Sequence, residues 1–390
     1  MYAKAFESWG NGIEVANACV CVLEQEPMMQ GITMLRTTRR QTLGLIGGGA
    51  VAVAAGLRPY RALAGTKITV LNWQGYGSDE KWAIAEFSKM TGIEVVHDYF
   101  NSSSEMLTKL KTNPGAYDIV LINSARSKEA SDAGLISPMD PSKIPNFKAI
   151  TPELSGHPNL VRDGKVYGCA WVWGMTTLAI RDGLELPDNY AALSDPKFKG
   201  KVALFDEAVT EIGVGALGTG QDMNNPADLD KVKAALQAIK PNLRTMWSSE
   251  DQWNKTFAAG DFDLSLYWSG AAVRSKRNFN LPVTFVVPKE GAVGWVDSLA
   301  IPSTSANPDA AYQFINYLIS PDFYHNWVTK VGAPASASQE AMERLPADDL
   351  MRQVHKQEYI KTMSVMAPLS ADRRKTFTTI WGDVKIFYAS

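Results

Sequence analysis

KITVLNW, residues 67–73, reads as a strand that stops at a turn, because Gln74-Gly75-Tyr76-Gly77-Ser78 follows it directly. Its β-branched and apolar residues suit a pleated, half-buried surface, and the two glycines beyond it break that pattern. A helix is predicted over 79–90, where Ala83, Phe87 and Met90 recur at helical spacing and Gly92 stands just past the end. A second strand follows at 93–99. Ser102-x-x-Glu105 then has the spacing of a capping box ahead of Met106, Leu107 and Leu110. YDIVLI, ending at Ile122, is a short buried strand, and a further helix runs toward Gly134. Strand and helix in strict alternation predict a parallel or mixed sheet covered by helices on both faces.

The same grammar returns downstream. Strands are expected at 202–205, 263–267 and 283–286. Asn225-Pro226 is expected to start a helix bearing Leu229, Val232, Leu236 and Ile239, which Pro241 ends. Asn307-Pro308 starts another through Tyr312, Ile315 and Leu318, which Ser320-Pro321 stops. The fold class is therefore α/β, in two lobes.

The N-terminal stretch follows other rules. From Met34 the chain carries Arg39-Arg40, then an uncharged Gly/Ala/Val-rich run from Leu43 to Leu57, then Ala62-Leu63-Ala64. A basic start, a short apolar run and an A-x-A site describe a secretory signal peptide, and paired arginines before the run resemble a twin-arginine export signal. The run is shorter than the roughly 20 apolar residues a membrane span needs. Residues 1–64 are thus expected to be a targeting region. Residues 34–64 would be the signal, cleaved after Ala64, and 1–33, with Cys19 and Cys21, an over-extended start. The remainder, 65–390, is long enough for two domains at about 150 residues each.

Of the 39 Lys/Arg and 41 Asp/Glu, six and four fall before residue 65, which leaves a mildly acidic remainder. No basic patch invites nucleic acid, and no basic amphipathic helix invites a membrane surface. Cys169 is the one cysteine left, expected as a buried small apolar residue.

Chemistry of the catalytic kind is missing. His97, His157, His325 and His355 are scattered, with no metal-ligand spacing, and there is no G-x-S-x-G elbow or P-loop. Gly213, Gly215 and Gly218 form a G-x-G-x-x-G, but Asp206–Ile212 separates it from the nearest strand, whereas a dinucleotide fingerprint follows its strand directly. A twin-arginine-exported, cofactor-dependent oxidoreductase would rest on that motif alone. No enzyme activity, cofactor or metal is expected.

Tryptophan is what the chain does have, eleven in all. Trp73 ends the first strand ahead of Tyr76, Trp171 and Trp173 flank a Gly-bounded segment, and Trp268 stands in YWSGA. Trp295 and Asp297 project to one side if that piece is extended. Ring faces beside a carboxylate suit an organic cation, by cation–π attraction and charge-assisted hydrogen bonds.

These residues carry a resemblance. LNWQGY (71–76), MLTKL (106–110), GAYDIV (115–120), WVWGMTTLAI (171–180), LFDEA (204–208), LYWSGAA (266–272) and VVPKEGAVGWVDSLAIP (286–302) are similar to the periplasmic spermidine/putrescine-binding proteins, within family 1 of the ABC-importer solute-binding proteins. The resemblance implies a type II periplasmic-binding fold, two α/β lobes with a ligand cleft between them, and no catalysis. It implies a first lobe of 65–172 plus 299–345, a second of 173–298 and C-terminal helices over 346–390. It implies a periplasmic monomer that carries a polyamine or related small amine to the membrane subunits of an ABC importer. The ligand-binding residues it implies are Trp73, Tyr76, Asn123, Ser124, Asp206, Glu207, Trp268, Trp295 and Asp297.

Three positions depart from the pattern. Gly75 and Thr210 stand where acids are usual, and Ala333-Pro334 stands where Tyr-Pro is usual. Each ammonium taken out of water needs an anionic partner, so fewer acids point to fewer positive charges on the ligand. A zwitterionic ω-amino acid such as 4-aminobutyrate is the alternative, with Arg126 and Arg181 as candidate carboxylate partners.

Overall fold

The computed structural model describes residues 65–390. The targeting reading of 1–64, with Cys19 and Cys21, lies outside the described residues. Among the described residues, no helix is long and apolar enough to cross a membrane.

The opening alternation folds as a parallel unit. Strand Lys67–Asn72 pairs in parallel with Glu94–Tyr99 on one side and Ile119–Asn123 on the other. Helices Lys81–Thr91, Ser103–Thr112 and Ser124–Asp132 fill the connections. A second parallel unit joins Val202–Phe205 to Leu243–Trp247 and Leu264–Trp268. Two antiparallel strands link the units into one mixed sheet. Cys169–Arg181 pairs with Val293–Ala300 and Ala335–Ser336 nearer its start, and with Leu264–Trp268 and Val283–Val286 along its later part. That thirteen-residue strand is buried along nearly its whole length. Its near-continuous apolar sequence is what a strand covered on both faces requires.

Separate cores sit on the two units. One gathers Phe87, Trp171, Phe314 and Trp327, and another gathers Leu178, Leu204, Ile212 and Trp381. A smaller cluster holds Trp253, Phe257 and Tyr267. The last helix, Ala371–Ala389, packs Phe377, Trp381 and Val384 onto the second of these cores.

Several local expectations need correction. The helix expected at Asn225-Pro226 begins at Leu229, because the Asp228 carboxylate caps it by accepting from Lys231 N, while Asn225 accepts from Arg373. Met90 is exposed, and Thr91 turns inward instead, its hydroxyl donating to Phe87 O at 2.8 Å. Ser102 caps its helix by accepting from Glu105 N, but the Glu105 carboxylate reaches back to Asn101 N rather than to Ser102. Gly213, Gly215 and Gly218 all lie inside helix Ala208–Gly218. A Cβ on Gly215 would come within 2.9 Å of Val232 on the neighbouring helix, so this glycine lets two helices touch rather than cradling a phosphate. Cys169 is fully buried, and burial pushes its thiol pKa up.

Candidate functional site

Asn72 is the last residue of the first strand and is fully buried. Its amide donates to Ser78 Oγ at 2.8 Å, and its side-chain oxygen accepts from Trp73 N at 2.7 Å, which fixes the loop between them. Gly75 has φ near +73°, a conformation an acid residue at this position would adopt only with strain, and its N–H donates to Asp79. Gly77 has φ near +83° and lies against the Trp327 indole, where a Cβ would sit 2.5 Å from ring carbons. The loop is therefore pressed onto Trp327. Tyr76 emerges edge-on to Trp171 and Trp327, with centroids 6.0 and 6.1 Å away, and those two indoles stack on each other at 5.1 Å.

The Tyr76 hydroxyl reaches Asp297 Oδ2 at 2.8 Å. Asn123 Nδ2 donates to the other oxygen, Oδ1, at 2.9 Å, because the pairing of strands Ile119–Asn123 and Val293–Ala300 sets Asn123 opposite Asp297. Asp297 is only 8% exposed. Both of its partners are neutral, and no cation pairs with it among the described residues. Burial pushes its carboxyl up to about 6, and the bonds from Tyr76 and Asn123 pull in the other direction. Burial, then the charge and hydrogen bond of Asp297, raise the Tyr76 hydroxyl well above its ordinary value, so it stays a donor.

Trp295 projects on the same side as Asp297 and packs its half-buried ring over Gly174, where a Cβ would come within 2.3 Å of Cζ2. A glycine in the central strand is what gives that indole its seat.

The remaining sequence-derived residues are placed around this centre. Trp73 stacks edge-on against Phe100 at 4.5 Å, and Trp268 lies edge-on to Phe205 and Trp247, each at 5.1 Å. Ser124 is fully buried, and its hydroxyl has no hydrogen-bond partner among the described residues. Glu207 caps helix Ala208–Gly218, accepting from Val209 N, Thr210 N and Thr210 Oγ1. Thr210, standing where the family usually carries an acid, thus ties Glu207 down. Asp206 accepts from Trp381 Nε1 and Lys385 Nζ, both at 2.8 Å. Among the described residues, no hydrogen bond or ring contact links Trp73, Asp206, Glu207 or Trp268 to the Tyr76–Asn123–Asp297 group.

Sequence reasoning missed Trp327, which only the pairing of a left-handed glycine at 77 with a distant indole reveals. Arg181, a candidate carboxylate partner, is engaged at the far end of its strand by Asp263 at 2.7 Å and by the carbonyls of Phe257 and Phe262. Ala333 is buried, and Pro334 lies against Gly270.

Comparison with known proteins agrees with this architecture. A family model of bacterial extracellular solute-binding proteins matches residues 82–351. The putrescine-binding periplasmic protein of Escherichia coli is 30% identical over 312 residues, covering 74% of this chain and 82% of that one. The spermidine/putrescine-binding periplasmic protein of the same organism is 28% identical over 289 residues, covering 73% and 81%. The solved spermidine/putrescine transporter substrate-binding protein of Streptococcus pneumoniae superposes with a TM-score of 0.74 at 23% identity, covering 83% of this chain and 99% of that one. Its fold is the type II periplasmic-binding fold, two α/β lobes about a cleft, and this chain shares it. The chain belongs to the bacterial extracellular solute-binding proteins.

Proposed function

We propose that this protein is the exported receptor of an ABC importer and captures a polyamine of the putrescine or spermidine type, or a related small amine. One observation carries the reading: Asp297 is a buried carboxylate held by two neutral donors and lacking a cation, beside Trp295 and the Tyr76–Trp171–Trp327 aromatic group. A buried carboxylate without a countercharge is costly, and an incoming ammonium removes that cost. The two Escherichia coli relatives, named for putrescine and spermidine, support the amine class. Closure of lobes 65–172 plus 299–345 and 173–298 over the ligand is what the importer subunits would read. Cleavage after Ala64 and a monomeric state complete the proposal.

A melting panel with putrescine, spermidine and other amines at pH 7.5 and pH 5 tests it. A ligand at 100 times its dissociation constant adds about 2.7 kcal/mol of stability. The sign of the pH effect follows from Asp297. Its folded pKa is raised to about 6, so in the empty protein this group favours the folded state at low pH and loses that contribution as pH rises from about 4 through 6. The ammonium needs the ionised form. Affinity should hold above pH 6 and fall by up to about tenfold per unit below it. A ligand shift that is equal at both pH values would remove Asp297 as the ammonium partner.

Gly174→Ala should act on the same site from behind. The new methyl collides with the Trp295 ring, and overpacking of this kind costs about 1–3 kcal/mol. Affinity should drop with an altered tryptophan emission. Unchanged affinity would place Trp295 outside the ligand's contacts.

A further inference from the structure

Ahead of its last helix the chain runs as a strap between the two units. Ser364–Val365 pairs in parallel with Val293 and Gly294 of a crossing strand. On the side of the first core, Asn159 Nδ2 donates to Met366 O at 3.1 Å. On the side of the second, Asn224 Nδ2 donates to Val365 O at 3.0 Å, and its side-chain oxygen accepts from Ala367 N at 2.8 Å. The last helix is then tied to the second unit. Arg373 donates to Asn225 and to Pro226 O, Asp383 pairs with Lys233, and Lys385 pairs with Asp206. Arg374 and Lys375 instead line a recess of about 990 Å³, whose opposite wall is helix Ser124–Asp132 of the first unit.

The charges across this recess are unevenly satisfied. Lys128 pairs with Asp132, and Arg126 pairs with Glu129 Oε2 at 2.7 Å. Among the described residues, Glu129 Oε1 has no hydrogen-bond partner, and Arg374 and Lys375 have no ion-pair partner. The Arg374 guanidinium is half-buried, with one long hydrogen bond to Leu369 O at 3.5 Å. Burial and then the Arg126 charge lower its pKa, while Glu129 and then Glu207 oppose them, so it stands within electrostatic reach of an acid on each unit. Glu207 is committed to capping helix Ala208–Gly218. Glu129 is left as the acid with a free oxygen. A carboxylate can accept from two guanidinium groups, one on each oxygen, so Glu129 need not release Arg126 to receive Arg374.

Resting on the reading that the two units close over a captured amine, we infer that Arg374 and Glu129 form an inter-unit latch: as the recess narrows, the guanidinium meets the free Glu129 oxygen and holds the closed state. Arg374 is already partly withdrawn from water, so pairing it adds less desolvation cost than pairing a fully solvated side chain would. Among the described residues, neither partner touches the Asp297–Tyr76–Asn123 group. The latch acts through closure, by raising the fraction of protein in the binding-competent form, to which apparent affinity is proportional.

Titration with putrescine of the wild type, Glu129→Gln, Arg374→Gln and the double variant tests the latch. By their fields alone the two single substitutions would act oppositely on a cationic ligand, since losing a positive charge favours it and losing a negative one disfavours it. The latch requires both to weaken binding, each by about three- to fivefold, the scale of a modest ion pair. The double variant should be no weaker than the weaker single one. Spin labels at Lys89→Cys and Lys255→Cys, an exposed position on each unit, report the inter-unit distance, because Cys169 is fully buried and stays unlabelled. The closed population should fall in both single variants, with and without putrescine. Thermal melts verify that each variant keeps the fold. Additive losses, a gain in affinity with Arg374→Gln, or a closed population that neither substitution moves would overturn the latch while amine capture stands. If the wild-type protein binds neither putrescine nor spermidine, the capture reading falls, and the ligand-free distance distributions decide the latch by themselves.

Discussion

Asp297→Asn should remove amine binding while leaving the fold in place. The substitution keeps the volume and one oxygen for hydrogen bonding, but it takes away the charge that the ammonium needs. Truncating one partner of a buried, hydrogen-bonded charge pair costs about 2–5 kcal/mol of binding, or roughly 30- to several-thousand-fold in dissociation constant. Stability should move far less. The empty protein holds this carboxylate at 8% exposure with its pKa raised to about 6, so ionising it already opposes folding near neutral pH. Replacing it relieves that opposition and loses one charge-assisted bond, from Tyr76 or Asn123. The melting temperature of the ligand-free variant should stay within a few degrees of wild type. Titration and melting of Asp297→Asn and Asp297→Ala together check this. Retained affinity in both variants would exclude Asp297 from the site.

Trp327→Ala should be the most destabilising single change near the site, and it should weaken binding from a distance. The indole is 2% exposed, stacks on Trp171 and meets the edge of Tyr76, and the backbone of Gly77 lies against it. Removing a buried tryptophan costs about 3–5 kcal/mol, through lost transfer energy and the cavity left behind. Trp171 then loses its stacking partner, and the loop 73–78 loses the surface that aims Tyr76 at Asp297. Trp327→Phe keeps an aromatic surface and should retain most of both properties. Urea unfolding gives the stability term, and amine titration gives the binding term. A variant that loses the stability but binds as before would show that Tyr76 is held by other contacts.

Residues 67–134 made much of the fold legible from sequence. Local alternation of strand and helix, with glycines at 92 and 134 where the helices turn back, specifies a parallel unit whatever the rest of the chain does. Asp297, Trp295 and Tyr76 were candidates in the sequence because a carboxylate and aromatics at strand ends form a short-range pattern, and the structure puts the Tyr76 hydroxyl on Asp297. The engagement of the other candidate acids was not legible there. The resemblance implies Glu207 as a ligand acid, yet Thr210, one helical turn along, donates to its oxygen. Asp206 reads the same way, yet Lys385 binds it from 179 residues further on.

Hydrophobic periodicity and turn chemistry act over a few residues, so the sequence by itself determined the α/β elements and the unsuitability of the glycine motif for a nucleotide, and it offered the aromatic and acidic candidates. The tertiary structure alone decided which acids stay free. Electrostatic pairing depends on through-space distance, and here it is set by a crossing strand, a left-handed Gly77 seated on Trp327, and a last helix that brings Lys385 back beside Asp206, far behind it in the chain.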